Sequence, residues 1–159
     1  MTLAARILDL ATTQGIMIAT AESCTGGMVA AALTDIPGSS AVVERGFVTY
    51  TNRAKTEMLG VSPATLAAHG AVSEAVAAEM AAGALRHAPV HLAVSITGIA
   101  GPGGSDHKPE GRVCFGIANG TDTRTETVEF GALGRDRVRT AARDHALGLL
   151  HDALSQNAQ

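Results

Sequence analysis

The chain has 159 residues, of which 46% are hydrophobic, 17% charged and only 3% aromatic, with a formal charge of −3. That length suits one domain spanning 1–159, with an aliphatic core of Ala, Val, Leu and Ile. The negative charge offers no global attraction to nucleic acid or an anionic membrane, and no run approaches the ~18 apolar residues of a membrane span.

The opening stretch "MTLAARILDLATT" places Leu3, Ile7, Leu8 and Leu10 on a helical pattern interrupted by Arg6 and Asp9. It reads as an amphipathic helix rather than a signal peptide. Gly15 breaks it. "IMIATA", Ile16 to Ala21, then predicts a short buried strand. After "ESCTGG", "MVAAALTDI" predicts a helix ending before Pro37. "AVVERGFVTYT", Ala41 to Thr51, predicts a strand. "NRAKTEMLG" predicts a short helix closed by Gly60. Ser62 and Pro63 mark the N-cap and first position of the next helix, and Ser73 caps a longer one. "HLAVSIT", His91 to Thr97, predicts a strand and is followed by the loop "GIAGPGGSDHKPEG". "RVCFGIAN" and "TRTETVEF" read as a hairpin around "NGTD". A last helix runs from about Arg135 to Leu154. This rhythm predicts a layered α/β/α domain with a mixed sheet.

Four passages carry chemistry. "AESCTGG" stands between a strand and a helix, where ligands gather in such folds. Ser23, Cys24 and Thr25 stand where helix N-terminal amides point outward and could stabilise a phosphate or an oxyanion, and Gly26 and Gly27 allow close backbone approach; the plainer alternative is a capping turn. Cys24 is chemically the better nucleophile, and Ser23 needs a base more. Of the six histidines only His107 lies in a polar motif, so a histidine base has little support. The only lysines are Lys55 and Lys108. Lys55 follows "FVTYTNRA", and a desolvated lysine can act as a base near neutral pH. The single tyrosine, Tyr50, lies close by and could relay a proton or orient Lys55. In "SITGIAGPGG", four of the seven residues after Thr97 are glycine, a composition suited to an anion-binding nest. "GRDRVR" opens the last helix with arginines suited to phosphate, or to a solvated face. The histidines are scattered and Cys24 and Cys114 have neither metal-ligand nor CxxC spacing, so no metal is implied and the thiols read as reduced.

Taken in order, "TAESCTGG", "GSSAVVERGFVTYTNRAK", "MLGV", "HGAVSE", "MAAGAL" and "TGIAGPGGSDHKPEG" resemble the CinA C-terminal domain family, whose enzymatic members are nicotinamide-nucleotide amidohydrolases. The resemblance runs from about Ile16 to Arg139. It implies a cytoplasmic, stand-alone deamidase of nicotinamide mononucleotide (NMN) that needs no cofactor. Ser23 would be the nucleophile, Lys55 its base and Tyr50 a proton donor. Thr25, Gly26, Gly27, Thr97, Gly98, Gly101, Arg135 and Arg139 would bind substrate. A homodimer is the expected assembly. The family loop often has one more glycine before "KP", and Val where Glu110 stands. The alternative is a non-catalytic nucleotide-binding or interaction module, and intact Ser23, Tyr50 and Lys55 favour the enzyme.

Overall fold

The computed structural model describes residues 1–158, so the last residue of the expected 1–159 span lies outside it. Five strands form one mixed sheet: β1 (Ile18–Glu22), β2 (Val43–Val48), β3 (Leu92–Gly98), β4 (Arg112–Asn119) and β5 (Thr123–Glu129). Their spatial order is β2-β1-β3-β4-β5. β1 runs parallel to both β2 and β3, whereas β4 and β5 add antiparallel.

Side chains alternate across a strand, so β1 serves two cores at once. Ile18 joins Val94, Ile96, Val113 and Phe115 under the helices α1 (Leu3–Gln14), α2 (Met28–Thr34) and α6 (Arg135–Asn157). Ala19 and Ala21 face the opposite layer. That layer holds α3 (Asn52–Leu59), α4 (Pro63–His69) and α5 (Glu74–His87). It is built from small residues: Ala19, Ala21 and Ala93 lie with Met80 and Ala84 of α5 in one buried cluster. Ser95 Oγ donates to the Ala77 carbonyl of α5 at 2.6 Å. A chain poor in aromatics achieves burial by close approach instead of side-chain bulk.

The element boundaries differ from the sequence expectation for local reasons. β1 starts at Ile18, not Ile16. Gly15 is left-handed (φ 67°), and the Ile16 amide donates to the Ala11 carbonyl at 2.9 Å. That bond ends α1 in a Schellman motif and takes Ile16 out of the strand. β2 is shorter than Ala41–Thr51, because Ser39–Ala41 form a 3₁₀ turn and Thr51 caps α3, its Oγ1 accepting from the Ala54 amide at 3.1 Å. α6 continues three residues past Leu154 to Asn157.

The connection from β1 to β2 passes through α2 on one face. The connection from β2 to β3 passes through α3, α4 and α5 on the other. β1 is therefore the topological switch point, and a crevice opens beyond the carboxyl ends of β1, β2 and β3.

Candidate active site

The carboxyl end of β1 delivers Ser23 into this crevice. Its amide donates to the Ile96 carbonyl of β3 at 2.9 Å, and on the other side the Thr49 amide donates to the Glu22 carbonyl at 2.8 Å. Ser23 is thus held between the ends of two neighbouring strands. The cleft above it has a volume of about 310 Å³ and is walled by the Ala71–Val72 turn, by residues 97–106 and by Arg135.

Lys55 enters from the first half of α3. Its side chain is 2% exposed and Ser23 is 8% exposed. Lys55 Nζ stands 3.1 Å from Ser23 Oγ and donates to the Thr49 carbonyl, also at 3.1 Å. Burial drives the lysine pKa below its ordinary value, with the neighbouring Cys24 opposing the shift. A neutral amine with one hydrogen committed to Thr49 has its lone pair free to accept the Ser23 proton. Cys24 points into the apolar core under α1, α2 and α6, and burial pushes its thiol up to about 12.

The turn after Ser23 works differently from the sequence expectation. Glu22 is fully buried and occupies the N-terminus of α2 itself. Its Oε1 accepts from Thr25 Oγ1 at 2.6 Å, from the Gly27 amide at 3.2 Å and from the Val29 amide at 3.0 Å. Its Oε2 accepts from the Ala30 amide at 3.0 Å. The Gly26 amide donates to the Ser23 carbonyl at 3.0 Å. The donors of Gly26 and Gly27 are therefore committed inside the protein, and the Thr25 side chain is buried away from the cleft. A helix N-terminus attracts an anion, and here the chain supplies its own. Among the described residues, the amides of Cys24 and Thr25 make no backbone hydrogen bond to another residue.

The glycine loop forms the opposite wall, through Thr97, Gly98 and Gly101. Thr97 Oγ1 donates to the Ala71 carbonyl at 2.9 Å. Gly101 is left-handed (φ 90°), and a Cβ there would lie 2.6 Å from the Glu110 carboxyl group. Glu110 accepts from the Gly103 amide at 2.7 Å and the Gly134 amide at 2.9 Å, tying the loop to the start of α6. Lys108 Nζ donates to the carbonyls of His69 at 2.8 Å and Val72 at 2.5 Å, fixing the loop to the α4–α5 turn.

Arg135 lines the cleft; it donates to the Gly101 carbonyl at 2.6 Å and to the Tyr50 hydroxyl. Tyr50 is half exposed, and its hydroxyl is engaged by Arg135 rather than by Lys55, whose anchor is the Thr49 carbonyl. Arg139 does not line the cleft. Its Nε donates to the Cys24 carbonyl at 3.0 Å and its Nη2 reaches the Thr25 carbonyl at 3.4 Å. Glu22, Glu110, Lys108 and the Thr49 carbonyl hold the site without having been assigned a role from the sequence. An acidic residue just ahead of a glycine-rich helix start was the available signal for Glu22. A second cavity of about 290 Å³ lies between β4, β5 and the end of α6, remote from Ser23 and Lys55.

Comparison with known proteins gives a consistent relationship. The family model described as the CinA C-terminal domain matches residues 1–154. Over 145 residues the chain is 53% identical to the nicotinamide-nucleotide amidohydrolase PncC of Escherichia coli (strain K12), covering 91% of this chain and 88% of that protein. It is 52% identical over 147 residues to a CinA-like protein of Chlorobium phaeobacteroides (strain BS1). That match covers 89% of this chain but only 35% of the relative, so the chain spans about a third of that longer protein. Among solved structures, the competence/damage inducible protein CihA from Agrobacterium tumefaciens superposes with a TM-score of 0.92 at 50% identity, covering 96% of this chain and 93% of that one.

Proposed function

Because the chain belongs to the CinA C-terminal domain family, we propose that it is a nicotinamide-nucleotide amidohydrolase, converting NMN and water to nicotinic acid mononucleotide and ammonia in cytoplasmic pyridine nucleotide salvage. The observation that carries this reading is the 3.1 Å contact between a buried lysine amine and Ser23 Oγ. A module that only bound nucleotides would gain nothing from a desolvated lysine beside a serine hydroxyl, and desolvation is costly.

In this account Lys55 takes the Ser23 proton as Oγ attacks the carboxamide carbon. The oxyanion accepts from the backbone amides of Cys24 and Thr25, each good donor supplying roughly 3–4 kcal/mol. The carbon–nitrogen bond then breaks. Lys55, now protonated and the nearest acid to Ser23, returns its proton so that ammonia leaves. Water attacks the acyl-enzyme while Lys55 accepts its proton; the bond from carbon to Ser23 Oγ then breaks, Lys55 returns the proton to Oγ, and the released acid ionises to the carboxylate. A neutral Lys55 also suits the substrate, since the pyridinium ring of NMN is cationic and a lysinium at this distance would repel it. Arg135, beside Tyr50 and the glycine loop, is the cation on the cleft wall available to the phosphate.

The test is ammonia release from NMN compared with nicotinamide, NAD, asparagine and glutamine. Preferred turnover of NMN, with nicotinic acid mononucleotide formed in equal amount, supports the reading. No release from NMN, or faster release from a free amide, contradicts it.

A further inference from the structure

The two arginines at the start of α6 share one short motif but serve different surfaces. We infer that Arg139 is a positioning residue for the Ser23 turn and contributes no contact to the nucleotide. This rests on the amidohydrolase reading for its kinetic consequences, and on the contacts of Arg139 for its assignment.

The guanidinium is half-buried and lies outside the cleft wall, so a phosphate in the cleft does not meet it. It donates through Nε to the Cys24 carbonyl at 3.0 Å and through Nη2 to the Thr25 carbonyl at 3.4 Å, the two carbonyls that follow the nucleophile. A trans peptide is planar, with its C=O and N–H pointing in opposite directions. Holding the Cys24 carbonyl therefore turns the Thr25 N–H of the same peptide unit away from Arg139. The Thr25 carbonyl accepts from the Met28 amide at 3.0 Å as well as from Arg139, and in this orientation the Gly26 N–H of the same peptide unit turns back toward the Ser23 carbonyl, where it bonds at 3.0 Å. Two successive peptide planes are thus fixed from outside the site. Gly26 is fitted to this arrangement: it is left-handed (φ 58°), and a Cβ there would press to 3.2 Å on Arg139 Nη2. On the other side of the turn, Glu22 holds the amides of Gly27, Val29 and Ala30. The turn is gripped by its carbonyls through Arg139 and by its amides through Glu22. The polar groups left to the site are the two free amides and Ser23 Oγ, which Lys55 Nζ meets at 3.1 Å.

The experiment compares wild type, Arg139→Gln and Arg139→Lys in two ways. One measures kcat and KM with NMN. The other measures covalent labelling of Ser23 by a small fluorophosphonate, followed by mass spectrometry, which requires no nucleotide. A displaced turn lowers kcat about 10- to 100-fold, with KM within about threefold, and slows labelling in parallel; Arg139→Lys, able to reach one carbonyl, recovers part of both. A rise in KM of about tenfold or more with labelling unchanged would make Arg139 a phosphate contact and overturn the inference. Unchanged kcat and unchanged labelling overturn it as well. If wild type labels at Ser23 but does not deamidate NMN, the substrate reading fails while labelling alone decides the role of Arg139. If wild-type Ser23 is inert to both, both readings fall. Should Arg139→Gln not fold, Arg139→Lys against wild type carries the comparison.

Discussion

Burial pushes the Cys24 thiol up to about 12, so at neutral pH almost none of it is thiolate, and a buried thiol is a poor nucleophile. The neighbouring Ser23 has the weaker intrinsic chemistry but the better partner, because Lys55 Nζ is within hydrogen-bond reach. Ser23→Ala should therefore abolish turnover. Cys24→Ala, which keeps the backbone amide, should retain activity within about tenfold of wild type, since the base step worth roughly 10²–10⁴-fold is untouched. In the folded protein Cys24 should resist iodoacetamide at pH 8, as mass spectrometry will show. Lys55 permits a sharper test. Its folded pKa lies below the ordinary 10.5, so between that depressed value and 10.5 the unfolded chain binds more protons than the folded one. Stability attributable to Lys55 then rises with pH across that window and is lowest at and below its start. Lys55→Met should remove turnover yet raise stability near neutral pH by about 0.5–2 kcal/mol, a trade seen where a site holds a destabilising group. The wild-type rate should rise as pH climbs through the depressed lysine pKa, and Lys55→Arg, permanently charged, should lose nearly all turnover. Chemical denaturation at several pH values and a pH–rate profile check these outcomes. An unchanged profile in an active Lys55→Arg variant would remove Lys55 as the base.

The glycine loop between β3 and β4 is held at both ends by Glu110 and Lys108, side chains to which sequence alone gave no role. Glu110 joins the amides of Gly103 and Gly134, and Arg135 follows Gly134 directly, so one carboxylate sets both the loop and the start of α6. Glu110→Ala should raise KM for NMN by about threefold to tenfold with little change in kcat, the value of about 1 kcal/mol of net hydrogen bonding. A fall in kcat at constant KM would place its influence on the nucleophile turn instead. Elements closed by local chemistry were legible in the sequence. Gly60 takes the left-handed cap of α3 (φ 72°), the Ser62 side chain caps α4 with Pro63 behind it, and Ser73 caps α5. Those signals lie within three residues of what they control. What was illegible acts over distance or through the backbone. Glu22 bonds mainly to amides, which carry no sequence signature. Arg139 meets carbonyls 115 and 114 residues away. From its spacing alone it looked like a second phosphate arginine. Lys55 was visible as a scarce lysine beside polar residues, and the family resemblance paired it with Ser23. The separation of 32 positions is closed by β2 pairing with β1 and by α3 turning back over the strand ends.

At the scale of the whole molecule, the parallel trio β2-β1-β3 creates the crevice, and the antiparallel pair β4-β5 extends the core away from it. Among the described residues no helix is long and apolar enough to cross a membrane. Val48, Tyr50, Met58 and Leu133 are exposed large hydrophobic side chains, and a small aliphatic chain with mean hydropathy +0.18 has apolar surface to spare. A closed homodimer is the commonest way to cover such surface. Multi-angle light scattering at micromolar concentration should give twice the 16.1 kDa chain mass, and a monomer there would reject the dimer. The central claim is that Ser23, activated by Lys55, is acylated by the carboxamide carbon of NMN. Its most direct test is rapid acid quenching of the enzyme during NMN turnover, followed by mass spectrometry of the peptide that contains Ser23. An acyl adduct derived from the nicotinamide ring should appear on Ser23, accumulating no faster than ammonia and absent from Ser23→Ala. Full turnover by Ser23→Ala, or an adduct mapped to Cys24, would contradict it.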